Sequence, residues 1–398
     1  MTKVDEMAED SIMMDSSEET VESAAAVPSE LPPLTLADNT RDSLPQRDDG
    51  RYRFVRSIGF GGMKTVLLVY DAEMQREVAM ATMPDWKERP PQLVNRFIME
   101  ARLTARLEHP NIIPIHDLGR DSSGTPFFTM KYLKGHTLAT ILRHLKDGDE
   151  ETVNAYPLVR LLRIYLRICN AIAFAHSQGI IHLDLKPENV HVGEFGEVQV
   201  IDWGLARAIA RPEDDEKNSP EGDAPAIDDG RTRDGIAKGT PGFMAPEQAA
   251  GKNRMKDQRT DIYTLGCILY TILTFEKPLA GHQLKEILRA TIKGNIKAPR
   301  ELENPHWPIP QPLEAICLKA MERFPEDRYQ SVAELRQDII AFSSGYVTSA
   351  EEPNMVNTAM RFFQRNYLAV LLTLLGALYL IGFFMLFYLL ASGRLTVK

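Results

Sequence analysis

From Tyr52 onward, apolar and polar positions fall into short β-prone runs, Tyr52 to Ile58, Thr65 to Tyr70 and Glu77 to Met83, parted by glycine or polar turns. Such spacing predicts an antiparallel meander. The period then changes. Gln92 to Leu107 carries Val94, Phe97, Ala101, Leu103 and Leu107 near one face with charges elsewhere, which predicts an amphipathic helix that packs on the sheet. Two further strand-like runs follow, Ile113 to Leu118 and Pro126 to Leu133, and helical spacing dominates from Leu138 to Phe342. The expected architecture is α+β, a small β-rich lobe followed by a larger helical one.

The flanks read differently. Residues 1–50 are rich in Asp, Glu, Ser, Pro and Ala without apolar periodicity, so a disordered acidic tail is expected there. Residues 208–236 interrupt the helical lobe with an acidic stretch containing Pro, Gly and Ser, expected to project as a disordered loop. After a linker over 343–366, the segment Tyr367 to Ala391 carries no charge, and a short tail, 392–398, follows it. At about 1.5 Å per residue its 25 residues reach roughly 37 Å, against about 30 Å of hydrocarbon, which predicts one membrane-spanning helix. Arg361 and Arg365 precede the span and Arg394 and Lys398 follow it, so basic residues do not orient it.

Composition narrows the function classes. A net charge of -9 over 398 residues argues against a nucleic-acid partner, which would need a basic footprint. Cys169, Cys267 and Cys317 each lie in helical apolar spacing, where a buried small hydrophobe is expected. Sparse cysteine and an acidic Met1 to Asp10 without an apolar core predict that the bulk of the chain is cytosolic.

Candidate chemistry begins with Ile58, Gly59, Phe60, Gly61, Gly62, Met63, Lys64, Thr65 and Val66 between two predicted strands. Glycines there let backbone N–H groups close over phosphates, although a plain glycine-rich hairpin turn accounts for them equally well in isolation. The run His182, Leu183, Asp184, Leu185, Lys186, Pro187, Glu188, Asn189 is more specific. It resembles the catalytic loop of eukaryotic-like (Hanks-type) bacterial Ser/Thr protein kinases. Asp202, Trp203 and Gly204 resemble that family's D-F-G, and Ala245, Pro246 and Glu247 its A-P-E. The resemblance extends over Tyr52 to Phe342, with Glu100 in the amphipathic helix, His109 to Ile112, Asp261, and Arg328 as the partner of Glu247.

The resemblance implies a two-lobed protein kinase fold that uses ATP and Mg2+. It implies that Asp184 accepts the substrate hydroxyl proton, that Asn189 and Asp202 hold metal, and that Lys186 steadies the transferring phosphate. Lys186 followed by Pro187 is the Ser/Thr form, so protein substrates bearing Ser or Thr are expected. Thr240 matches the threonine that faces Asp184 and Lys186. The nucleotide would meet Ile58, Gly59, Gly61, Gly62, Val66 and Ala79, with Met130 as gatekeeper and Tyr132 and Leu133 in the hinge.

Two departures matter. The third strand reads Val78, Ala79, Met80, Ala81, so the family's lysine is replaced by alanine. Lys64, at the place of the third loop glycine, resembles the lysine placement of the with-no-lysine kinases and is expected to bind the phosphates and pair with Glu100. The arginine of H-R-D is Leu183, so a loop phosphate would lack its usual cationic partner, and constitutive or ligand-controlled activity is expected. The competing reading, motivated by Ala81, is a pseudokinase scaffold that binds nucleotide or partners at the membrane. The enzymatic reading places the kinase domain on the cytosolic face of the cell membrane, because it needs cytosolic ATP.

Overall fold

A computed structural model describes residues 50–60, 64–208, 238–279, 283–351 and 367–391. Residues 1–49 of the expected tail over 1–50, residues 209–236 of the expected loop over 208–236, and the glycines Gly61 and Gly62 lie outside the described residues. Five antiparallel strands form the first lobe: β1 (Tyr52–Phe60), β2 (Thr65–Asp71), β3 (Arg76–Thr82), β4 (Ile115–Arg120) and β5 (Pro126–Lys131), in the order β1-β2-β3-β5-β4. Strand β1 runs two residues further than the spacing predicts, so Gly59 is a strand residue paired with Val66, while Ile58 sits at an irregularity of the ladder. Strand β5 stops at Lys131, leaving Tyr132 and Leu133 beyond the sheet.

Helix α1 (Pro91–Arg106) opens on a proline at its first position, where the missing N–H costs nothing. Its face of Val94, Phe97, Ile98 and Ala101 buries against Ala81, Met83 and Phe128 of the sheet. Each large aliphatic side chain removed from water there contributes about 1.5–3 kcal/mol.

The second lobe carries three short strands, β6 (Gly135–Thr137), β8 (Val190–Gly193) and β9 (Val198–Val200), which form one sheet. Strand β7 (Ile180–Ile181) pairs with β10 (Arg207–Ala208), so Ala208, expected to begin the loop, is a strand residue. The helices are α2 (Leu138–Lys146), α3 (Glu150–Ala155), α4 (Leu158–Ser177), α5 (Pro246–Ala249), α6 (Gln258–Thr274), α7 (Leu284–Lys293), α8 (Gln311–Ala320) and α9 (Val332–Ser343). Every residue of α6 from Thr260 to Thr274 is buried, making it the axis on which the lobe packs. Cys169, Cys267 and Cys317 are free thiols buried in α4, α6 and α8.

The chain after α9 turns back onto the domain. The buried Asp338 carboxylate accepts hydrogen bonds from Tyr329 Oη (2.7 Å), Ser349 N (2.7 Å), Ser349 Oγ (2.8 Å) and Ala350 N (3.1 Å). The last described element, α10, spans Tyr367–Ala391. Among the described residues no helix meets both the length and the hydropathy of a membrane span.

Candidate active site

The loop from His182 to Asn189 hangs from one carboxylate. Asp261, fully buried on α6, accepts hydrogen bonds from His182 N (2.8 Å) and Leu183 N (2.9 Å) and contacts His176 Nε2 at 2.8 Å. Burial alone would raise the Asp261 carboxyl, but the hydrogen bond with His176 and the His182 backbone amide hold it below the usual carboxylate range. Leu183 adopts the left-handed conformation at φ 65°, which costs an L-residue about 1–2 kcal/mol. That bend presents the next residue, Asp184, to the cleft. The buried His182 ring packs against Trp203 with centroids 4.5 Å apart, and burial lowers its pKa, so it serves as neutral packing.

Around Asp184 the predicted groups converge. Its Oδ1 accepts from Thr240 Oγ1 at 2.8 Å, its Oδ2 from Lys186 Nζ at 3.1 Å, and Lys186 Nζ also donates to Thr240 Oγ1 at 2.8 Å. Residues 54 positions apart thus close a three-member ring on the carboxylate. Asn189 Nδ2 donates to Asp184 O at 2.9 Å, which leaves Oδ1 as the atom able to face a metal. The Ile201 amide donates to Asn189 O at 2.9 Å and ties this loop to the strand that delivers Asp202.

Lys64 enters from the first lobe. Its Nζ contacts Glu100 Oε1 and donates to Asp202 Oδ1 at 2.9 Å. Burial works against the ammonium, but the charges of Glu100 and Asp202 overcome it and hold Lys64 above the ordinary lysine value. Burial likewise opposes the Asp202 charge, and Lys64 outweighs it and keeps Asp202 below the ordinary range. Glu100 is pushed up by burial and countered by the Lys64 charge; we take the pair as ionised, since one ammonium touches both carboxylates. Gly204 allows this approach, because a Cβ there would stand 3.1 Å from Glu100 Oε2. Arg96 Nε donates to Gly204 O at 2.8 Å and binds α1 to the same turn. Ala81, on β3, is fully buried between the sheet and α1 and contributes no charge.

Cross-strand partners share a face. The register pairs Gly59 with Val66, Val66 with Ala81, Ala81 with Phe128, and Ala79 with Met130. The expected nucleotide residues Gly59, Val66, Ala79 and Met130 therefore lie on the face that also carries α1. Tyr132 Oη accepts from Arg56 Nη2 at 2.9 Å, fixing the hinge to β1. A cavity of about 350 Å3 at the hinge includes Tyr132, Leu133, His191 and Gln199, but none of Lys64, Asp184, Asn189 or Asp202.

Below the site, Glu247 forms a buried bidentate pair with Arg328, at 3.0 Å to Nη1 and 2.8 Å to Nη2, and accepts from Thr260 Oγ1 at 2.8 Å. The neighbouring Gln248, which the motif reading missed, is also buried and bonds to Leu183 O at 2.8 Å. The signal was present: a glutamine three residues after a helix cap is placed to reach back to the cap.

Asp202 and Asn189 suit a magnesium ion that keeps water and phosphate ligands, since such an ion asks the protein for only one or two carboxylates. Among the described residues no group of three or more His, Cys, Asp or Glu converges as a metal cage.

Comparison with known proteins agrees with this geometry. Residues 52–339 match the protein kinase domain family. The chain is 35% identical over 311 residues to serine/threonine-protein kinase PknD of Protochlamydia amoebophila, covering 77% of this chain and 31% of that one. It is 36% identical over 301 residues to PknD of Chlamydia pneumoniae, covering 74% and 31%. Against serine/threonine-protein kinase PknB of Mycobacterium leprae it is 33% identical over 322 residues, covering 80% and 47%. The chain thus spans from 31% to 47% of the length of these relatives. With nearly three hundred contiguous residues matching from β1 into α9 and the motif residues gathered at one cleft, the chain belongs to the protein kinase domain family.

Proposed function

We propose that this chain is a membrane-anchored protein kinase that transfers the γ-phosphate of ATP to serine or threonine hydroxyls, with Lys64 replacing the missing third-strand lysine. The single observation that carries this reading is the Lys64 ammonium held between Glu100 and Asp202. Relatives named as serine/threonine-protein kinases and the Lys186–Thr240–Asp184 ring support the Ser/Thr assignment.

In this mechanism Asp184 accepts the proton of the incoming hydroxyl while the oxygen forms its bond to the γ-phosphorus and the β–γ bridge breaks. Lys64 moves its charge onto the non-bridging α and β oxygens, and Lys186 balances the transferring group. Asp202 and Asn189 would hold magnesium, which when bound neutralises phosphate charge. The uncharged run from Tyr367 to Ala391 supports a single span with the kinase domain in the cytosol, where ATP is available.

The test is transfer of radiolabel from ATP to a protein acceptor by the full chain in detergent or vesicles. Incorporation by the parent, lost in Lys64→Met and in Asp184→Asn, is expected. Nucleotide binding without incorporation by the parent selects the pseudokinase scaffold instead, and full activity in Lys64→Met removes the role given to that lysine. Carbonate-resistant membrane association is expected to disappear when residues 367–391 are deleted.

A further inference from the structure

We propose that Gln248 is a positioning residue that clasps the catalytic loop to the chain from Lys238 to Ala245 through a neutral amide. The proposal rests on the kinase reading and deepens it. Gln248 is 1% exposed, the third residue of α5, beside Glu247. Its Oε1 accepts from Ala245 N at 3.1 Å, and its Nε2 donates to Leu183 O at 2.8 Å and to Lys238 O at 3.4 Å. Only this orientation of the amide serves all three partners, since a flipped amide would set Oε1 against the Leu183 carbonyl and a donor against the Ala245 N–H.

One side chain therefore joins three stretches of chain. Leu183 is the left-handed residue whose bend presents Asp184, and its amide is already fixed by Asp261. Gln248 fixes its carbonyl, so both sides of the strained residue are held. The chain crossing between them is Gly239, at φ 134°, where a Cβ would meet Gln248 Nε2 at 3.4 Å and Leu183 O at 3.5 Å. The next residue is Thr240, whose hydroxyl bonds Asp184. Rigidity is supplied from below, where Glu247 is locked by Arg328 and Thr260. Because the bond is made to the backbone carbonyl of residue 183, the clasp needs no charged side chain there.

The full chain carries three tests. Gln248→Met keeps the volume and removes both donors and the acceptor. It is expected to lower kcat for a protein acceptor about tenfold or more, with the KM for ATP within about twofold, because a buried carbonyl loses its partner beside Asp184 but not at the nucleotide. Amide hydrogen exchange of segments 180–186 and 243–250 is expected to quicken in the same variant by about tenfold. Gln248→Glu supplies the chemical signature: its protonated acid still donates to Leu183 O, whereas its carboxylate cannot. Its activity relative to the parent should fall as pH rises from about 5.5 to 8.5, the range into which burial drives such a carboxyl.

A Gln248→Met enzyme with kcat within twofold of the parent and unchanged exchange overturns the clasp. If that variant fails to fold cooperatively, a Gln248→Glu activity profile parallel to the parent's across the pH range overturns it instead. A parent without incorporation refutes the kinase reading separately, and the exchange measurement still decides whether the clasp exists.

Discussion

Charge is held in two different ways on the two sides of the cleft. In the second lobe, Asp261 and the Glu247–Arg328 pair are buried, are met by several donors each, and bear the catalytic loop without touching the reacting atoms. In the first lobe, Lys64 is partly exposed and serves two carboxylates from a residue just outside β2. A buried ion pair is strongly destabilising to break, because one partner is left uncompensated, whereas a partly solvated one is screened. Stability is therefore concentrated under the site rather than at Lys64.

The largest effect that would break this contrast is in the buried pair. Arg328→Ala leaves Glu247 uncompensated and removes bonds to three backbone carbonyls, so thermal or urea unfolding should show a loss of about 3–5 kcal/mol. A loss under 1 kcal/mol would mean that the scaffold is carried elsewhere.

Lys64→Met is the counterpart. Its stability should stay within about 1 kcal/mol of the parent, because Glu100, already pushed up by burial, can take a proton. Turnover should nevertheless fall by about a hundredfold or more, and adding Ala81→Lys to that variant should return at least tenfold of it. If the double variant is no better than Lys64→Met, the two positions do not serve the same phosphates.

The pH dependence sharpens the comparison more gently. Asp202 is depressed in the folded state, so its contribution is complete above the ordinary carboxylate value, about 3.9, and is lost as pH falls through its lower folded value. Lys64 is raised, so its contribution is complete below the ordinary lysine value, about 10.4, and is lost as pH rises through the folded one. Between the raised folded value of Glu100, which shares the ammonium, and the lysine limit, the stability contributed by this pair should be flat with pH. A slope near neutrality in the Lys64–Asp202 coupling energy, measured by double-mutant cycle, would show that one of the groups is not charged as assigned.

The smallest effect is expected at Trp203. Its indole Nε1 is buried without a partner among the described residues, a cost of about 1–3 kcal/mol that Trp203→Phe removes while forfeiting a similar amount of packing. Calorimetry should show a net change within about 1 kcal/mol.

The sequence made the chemistry legible where it is local. Asp184, Lys186 and Asn189 lie within six residues, and Asp202 ends a short apolar run, so the resemblance to the kinase motifs could group them. The first-lobe strands and α1 were legible because each is long enough to show its period. Of the later strands, only β9 was legible, as the apolar run that leads into Asp202; β6, β7, β8 and β10 were not, since two to four residues cannot display alternation. Gln248 was missed for a different reason. A glutamine in a first helical turn is ordinary at the surface, and only a contact with Leu183, 65 positions away, gives it a role. The carboxylate of Asp338, which gathers Ser349 and Ala350, is invisible for the same reason.

A lysine on an interior strand such as β3 is braced by ladders on both sides, but Lys64 rides at the foot of a hairpin with β1 as its outer edge. Lifting that hairpin to admit or release a ligand must either part the ammonium from Glu100 or drag α1 along with it. Opening of the mouth and displacement of the helix are thereby geared together, so a substitution that stiffens α1 at a distance should slow nucleotide exchange at the turn.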